Sequence, residues 1–305
     1  MLRMPEIDRS LPWVDFNPPA DLPLHIGLLE GAVCAAWLLT CLHWFHHWRQ
    51  GRTRPMFAWL CILVYGTILE LIVYNTVDNF AHEQFSVMLY HHRLPLYICM
   101  VYQVVVYVAQ QMGERFQLPL ALEGVAVGLL AVIMYTPYDL VGPTMPWWAW
   151  KPHLTTMSRW LGVPYSSTLW MFLFHGLIAV LIRWADARRR PGGVSMALWV
   201  GITALLTLVG GFVLFLPYHA FRFLGLGDGL ILILFLIAGF VMVLRARPVP
   251  EGPADRPLLA ATLIWHGFFV GASLLAPTPI CWIATPMILA SLGIQVWLYR
   301  QAHNS

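Results

Sequence analysis

Residues 56–77 read MFAWLCILVYGTILELIVYNTV, an apolar run broken by a single carboxylate, Glu70, near its C-terminal end. At about 1.5 Å of rise per residue, a helix of this length covers the roughly 30 Å hydrocarbon core of a bilayer. Comparable runs occupy residues 22–46, 94–112, 118–137, 166–182, 194–216, 229–244, 257–275 and 279–299. The pattern predicts an all-α, polytopic transmembrane helical bundle of nine spans. The seventh run is short and only residues 276–278 separate the last two, so eight spans is the alternative count.

Composition agrees. Of 305 residues, 59% are hydrophobic and 11% charged, against roughly 25% charged in soluble domains. Soluble globular, disordered and nucleic-acid-binding classes are excluded, since each needs charge or low hydrophobicity that this chain lacks. The five cysteines lie in apolar runs with no CxxC pair, and read as small buried hydrophobes. There is no phosphate-cradling glycine loop, Rossmann fingerprint, GxSxG elbow or HExxH. Residues 1–21 mix acids with prolines and read as a polar N-terminal tail, not a signal peptide. Residues 22–300 read as one transmembrane domain, with Gly124 and Gly128, and Gly201, Gly210 and Gly211, at helix-packing spacing.

Seventeen of the 18 cations are arginine. With nine spans and the N-terminus outside, twelve cations fall on inner segments and six on outer ones. The positive-inside rule therefore predicts a cytoplasmic C-terminus.

Ionisable residues inside apolar spans are costly, and they mark the candidate site. Glu30 and Glu70 lie at similar depths on the first two, antiparallel helices. Glu70, Tyr74 and Asp78 follow at i, i+4 and i+8, predicting one helix face. His82, Tyr102 and Asp139 are expected to enter from the same outer side, with His91, His92, His153 and His219 at the interface. At the opposite end, HWFHHW places His43 and His47 at i and i+4, a spacing that suits a metal. That end lies roughly 30 Å from His82 and Asp139. An interfacial aromatic and histidine belt accounts for the motif more simply, so no metal is assigned. His175 and His266 are expected to be hydrogen-bonded packing residues.

A stretch from Glu70 to Trp170, about a third of the chain, resembles the carotenoid biosynthesis membrane proteins that include lycopene and bacterioruberin-pathway hydratases. Glu70 matches that family's helix glutamate, LPLYICMVY at residues 94–102 its VPL helix start, and DLVGPTMPWWAW at residues 139–150 its Asp and Trp loop. Gly162, Val163, Pro164 and Trp170 follow in order. The chain departs from the pattern at Gly142 (a second Asp there), Ser167 (Asn), Tyr102 (Trp) and Ala81–His82 (part of an FG-x-Y stretch).

The resemblance implies an integral membrane enzyme that hydrates a C=C bond of a carotenoid or related polyisoprenoid by an acid-initiated route. Glu70 is the first candidate acid and Asp139 the second, with His82 or Asp78 orienting water. Trp147, Trp148, Trp150 and Trp170 would stabilise a passing cation through their ring faces. Glu30, Tyr74 and Tyr102 complete the expected binding set. Two alternatives stand beside it: a noncatalytic carotenoid-, quinone- or partner-binding subunit, and a His/carboxylate metal-dependent oxidoreductase. No cofactor is called for. The expected partners are the lipid bilayer, a hydrophobic polyene or isoprenoid, and other membrane subunits.

Overall fold

The computed structural model describes residues 7–153, 156–190, 192–247, 249–251, 255–276 and 280–301. The long elements are α1 (Leu24–Arg49), α2 (Arg54–Thr76), α3 (Leu96–Tyr102), α4 (Val108–Glu114), α5 (Leu120–Val141), α6 (Tyr165–Asp186), α7 (Gly193–Phe223), α8 (Asp228–Arg245), α9 (Arg256–Leu275) and α10 (Ile280–Gln301). A π-helical turn, Gln103–Tyr107, joins α3 to α4 into one span. Among the described residues, nine helices are long and apolar enough to cross a membrane, so the protein is an all-α, multi-pass bundle in contact with lipid. The last two spans are separate helices, which sets aside the count of eight.

Prolines start many of these helices. Pro23, Pro95, Pro119 and Pro164 are the N-caps of α1, α3, α5 and α6. Pro55 and Pro257 lie in the first turns of α2 and α9. The missing N–H of proline is no loss there, because first-turn N–H groups have no partner inside the helix.

The third span is the most enclosed, with residues 101–110 all buried. By contrast α7 and α8 expose Leu205, Val209, Val213, Ile233, Ile237 and Phe240, as expected of helices facing lipid. Helices α5 and α6 touch backbone to backbone. A Cβ on Gly124 would lie 2.8 Å from the Gly176 carbonyl oxygen, and one on Gly128 2.4 Å from that of Phe172. Gly210 and Gly211 are also close-packed, but a Cβ on Gly201 would meet nothing within 4 Å among the described residues, so it is not a packing glycine.

Short strands gather at one end of the bundle: β1 (Val14–Phe16), β2 (Phe80–His82), β3 (Val87–Leu89), β4 (Leu94–Pro95), β5 (Trp148–Trp150), β6 (Arg159–Trp160) and β7 (Val163–Pro164). They form three antiparallel groups, β1-β3-β4, β2-β5 and β6-β7. The described part of the N-terminal tail is therefore structured, with β1 as a strand of this cap. His91 and His92 hold it in place, through the Leu11 carbonyl at 2.6 Å and Asp15 at 3.1 Å. The other end of the bundle carries most of the arginines.

Candidate functional site

Beneath the strand cap lies a cavity of about 440 Å³, walled by α2, α3, α5, α6, α7 and the β2-β5 pair. Its lining is mainly apolar and aromatic, with two carboxyl groups: Glu70 from α2 and Asp139 from α5. The volume lies within the range of small-molecule sites.

Glu70 is buried two turns before the end of α2. Tyr102, the last residue of α3, donates a hydrogen bond to its Oε1 at 2.7 Å, and the hydroxyl of Tyr74, one turn further along α2, lies beside the same carboxyl group. Tyr102 is held in turn by Gly66, where a Cβ would come within 2.5 Å of the tyrosine ring. The π turn that follows Tyr102 is a local irregularity of a kind often found at functional sites. Asp139 is also buried, and Ser167 of α6 donates to its Oδ2 at 3.2 Å. Neither carboxyl group has an ion pair among the described residues, whose acid–base pairs all lie elsewhere.

The roof follows from strand alternation. Phe80-Ala81-His82 pairs with Trp148-Ala149-Trp150 so that His82 faces Trp148 and Phe80 faces Trp150. Successive side chains point to opposite faces, so the four rings share the cavity side and both alanines turn away. Trp148 stacks on Tyr138 at 5.7 Å and meets Trp150 edge-on at 4.7 Å. The indole N–H groups of Trp148 and Trp150 are buried without acceptors among the described residues, as is Nδ1 of His82. Burial pushes the His82 imidazole down to about 3, so it is neutral at ordinary pH. Unsatisfied polar atoms of this kind are uncommon in packed interiors, and here they cluster around a cavity.

Seven of the eleven expected catalytic and binding residues line this one space: Glu70, His82, Tyr102, Asp139, Trp148, Trp150 and Trp170. Four do not. Glu30 is occupied by the strand cap, accepting hydrogen bonds from the backbone N–H and the hydroxyl of Ser86. Asp78 leaves the expected face because α2 ends at Thr76 and Asp78 turns into a left-handed conformation (φ 46°). It pairs instead with Arg93 and with Lys151 at 2.8 Å. Tyr74 lies behind the roof against Phe80 and His82. Trp147 faces the other way, donating to His25 and stacking on Phe268.

Sequence reasoning passed over Tyr135, one turn before Asp139, and the rim on α7 formed by Phe212, Phe215 and Leu216. Phe212, Leu216 and His219, which joins the lining from its expected interfacial position, are exposed on the outer surface of the bundle, so the cavity opens sideways where α7 faces lipid. His266 is hydrogen-bonded as expected, to Thr262 and Ser291. His175 is not; both ring nitrogens lack partners among the described residues, and the ring packs on Tyr65, Tyr102 and Trp170.

Gly142, where the resembled family has a second Asp, sits under Trp148. A Cβ there would fall 2.1 Å from the indole nitrogen, so any side chain at this position requires the roof to move.

In comparisons with known proteins, a family model described as a domain of unknown function (DUF7802) matches residues 27–246. No curated protein and no solved structure matches the chain.

Proposed function

The chain belongs to the DUF7802 family, and from the chemistry of its cavity we propose that it is an integral membrane enzyme adding water across a C=C bond of a carotenoid or related polyisoprenoid. One observation carries this reading: two carboxyl groups, 69 positions apart in sequence, line one aromatic cavity with no cation paired to either among the described residues.

In this reading the carboxylic acid of Glu70 protonates one alkene carbon, whose π electrons form the new C–H bond. The neighbouring carbon becomes a tertiary cation, and the faces of Trp148, Trp150, Trp170 and Tyr138 stabilise it. A water oxygen then adds to the cation and its surplus proton returns to the Glu70 carboxylate, so one H₂O is consumed and the acid is restored. Asp139 and neutral His82 accept hydrogen bonds from that water and hold it beside the cation. The opening at α7 suits a substrate dissolved in lipid, because a long chain can insert one end while the remainder stays among the acyl tails.

Pigments and isoprenoids extracted from cells with and without the protein test this directly. The reading expects hydroxylated polyenes only with the wild-type chain and none with Glu70→Gln at equal abundance. An unchanged profile rejects it.

The occupancy of the Gly142 position by Trp148 favours a second reading, in which the cavity binds a polyene without altering it. An unmodified polyene that co-purifies with wild type and Glu70→Gln alike distinguishes it.

A further inference from the structure

The HWFHHW motif acquires a third member that its own sequence does not contain. Asp255, on the connection between α8 and α9 and 212 positions away, places Oδ2 at 3.1 Å from His43 Nε2 and Oδ1 at 3.8 Å from His47 Nε2. One ligand atom from each of the three residues lies within 4.8 Å of the others. The two imidazoles are neighbours on one face of α1, with ring centroids 4.4 Å apart.

Hydrogen bonding alone does not account for this arrangement. A hydrogen bond between His43 and Asp255 satisfies those two, yet both ring nitrogens of His47 are buried without a hydrogen-bond partner among the described residues. Asp255 is the N-cap residue of α9, where an Asp side chain ordinarily accepts from the helix N–H groups. It makes no such bond and is turned toward the imidazoles. His43 Nδ1 is 2.6 Å from the Tyr107 hydroxyl. With the Nδ1 proton donated to Tyr107, the His43 Nε2 lone pair faces Asp255 and His47, which is how an outer partner orients a metal-binding imidazole. The Asp255 side chain is 38% exposed, which leaves a path for an ion and for coordinated water.

We propose that His43, His47 and Asp255 bind a divalent first-row transition metal. Two imidazoles and one carboxylate suit zinc, iron(II), cobalt or nickel rather than calcium or magnesium, which prefer all-oxygen sites. The ion ties the end of α1 to the start of α9. It is separate from the aromatic cavity, whose lining includes none of the three residues.

The test uses untagged full-length protein in detergent, stripped with chelator and titrated with Zn²⁺ and Co²⁺. One Zn²⁺ per chain is expected, together with a rise in the thermal midpoint. His47→Gln and Asp255→Asn should each weaken binding at least tenfold, and His46→Gln, on the exposed face of α1, should not. Bound Co²⁺ should give d–d bands without thiolate charge transfer, a readout that needs no variant. Absence of stoichiometric binding by wild type, a thiolate band, or unchanged affinity in the His47→Gln/Asp255→Asn double variant overturns the proposal.

Discussion

The arginine-rich end and the aromatic cavity handle their buried carboxylates in opposite ways. At the arginine-rich end Glu114 pairs with Arg54 at 2.9 Å, Glu123 with Arg183, and Asp186 with Arg189 at 2.7 Å. Below the strand cap Glu70 and Asp139 are buried with neutral neighbours, two tyrosines and a serine, and no cation among the described residues. Both regions bury acid, so depth alone does not mark a site. A buried acid with a cationic partner is held as part of the architecture. One without such a partner, beside an open cavity, keeps its proton chemistry available to a ligand.

Carboxamide substitutions break this contrast most sharply. Glu70→Gln should lower hydration by at least about 10²-fold, the scale of a lost general acid, while leaving the melting temperature near wild type. Glu123→Gln should do the reverse, leaving Arg183 unpaired at a cost of about 2 kcal/mol, discounted because that arginine is one-third exposed. Activity assays and thermal melts on the same two preparations check both outcomes.

Next in size is Gly66→Ala. The added methyl displaces the Tyr102 ring and with it the hydrogen bond to Glu70, at about 1–3 kcal/mol of overpacking. Activity should fall further than stability accounts for, and Gly66→Ala/Tyr102→Phe should show no additional loss.

A pH effect follows from His82. Its pKa of about 3 in the folded protein lies below the ordinary 6.5 of the unfolded chain. The unfolded chain therefore takes up a proton first as pH falls. The stability held by neutral His82 is complete above about pH 6.5 and is lost progressively as pH drops toward 3, by about 2 kcal/mol at pH 5. Thermal melts of wild type and His82→Gln at pH 7 and pH 5 should show this loss in wild type and its reduction in the variant.

The smallest effect belongs to Asp78→Asn. Its partners Arg93 and Lys151 are partly exposed, so about 1 kcal/mol is expected. Hydration per folded molecule should be unchanged, confirming in solution that Asp78 is outside the cavity.

The spans were legible because hydrocarbon thickness imposes length and apolarity on every one of them. Glu70 and Asp139 were legible for the complementary reason, as carboxyl groups placed where burial is expensive. The positions of Glu30 and Asp78 were not, because they depend on Ser86 in a loop and on a left-handed residue just past a helix end. Tyr135 carried a readable signal, its i, i+4 spacing to Asp139. The α7 rim carried none, since on a helix apolar all round nothing in the pattern separates a residue facing lipid from one facing a cavity. Asp255 lay beyond reach for a different reason: helix packing brings it to His43 across most of the chain.

The most direct measurement is isotopic. Wild-type protein reconstituted into liposomes with lycopene in D₂O should yield a hydroxylated product carrying one deuterium on the carbon next to the new C–O bond. The same liposomes containing Glu70→Gln should yield none. Recovery of lycopene without deuterium or hydroxyl from the wild-type liposomes, or equal product from the variant, would contradict the role assigned to the cavity and its acid.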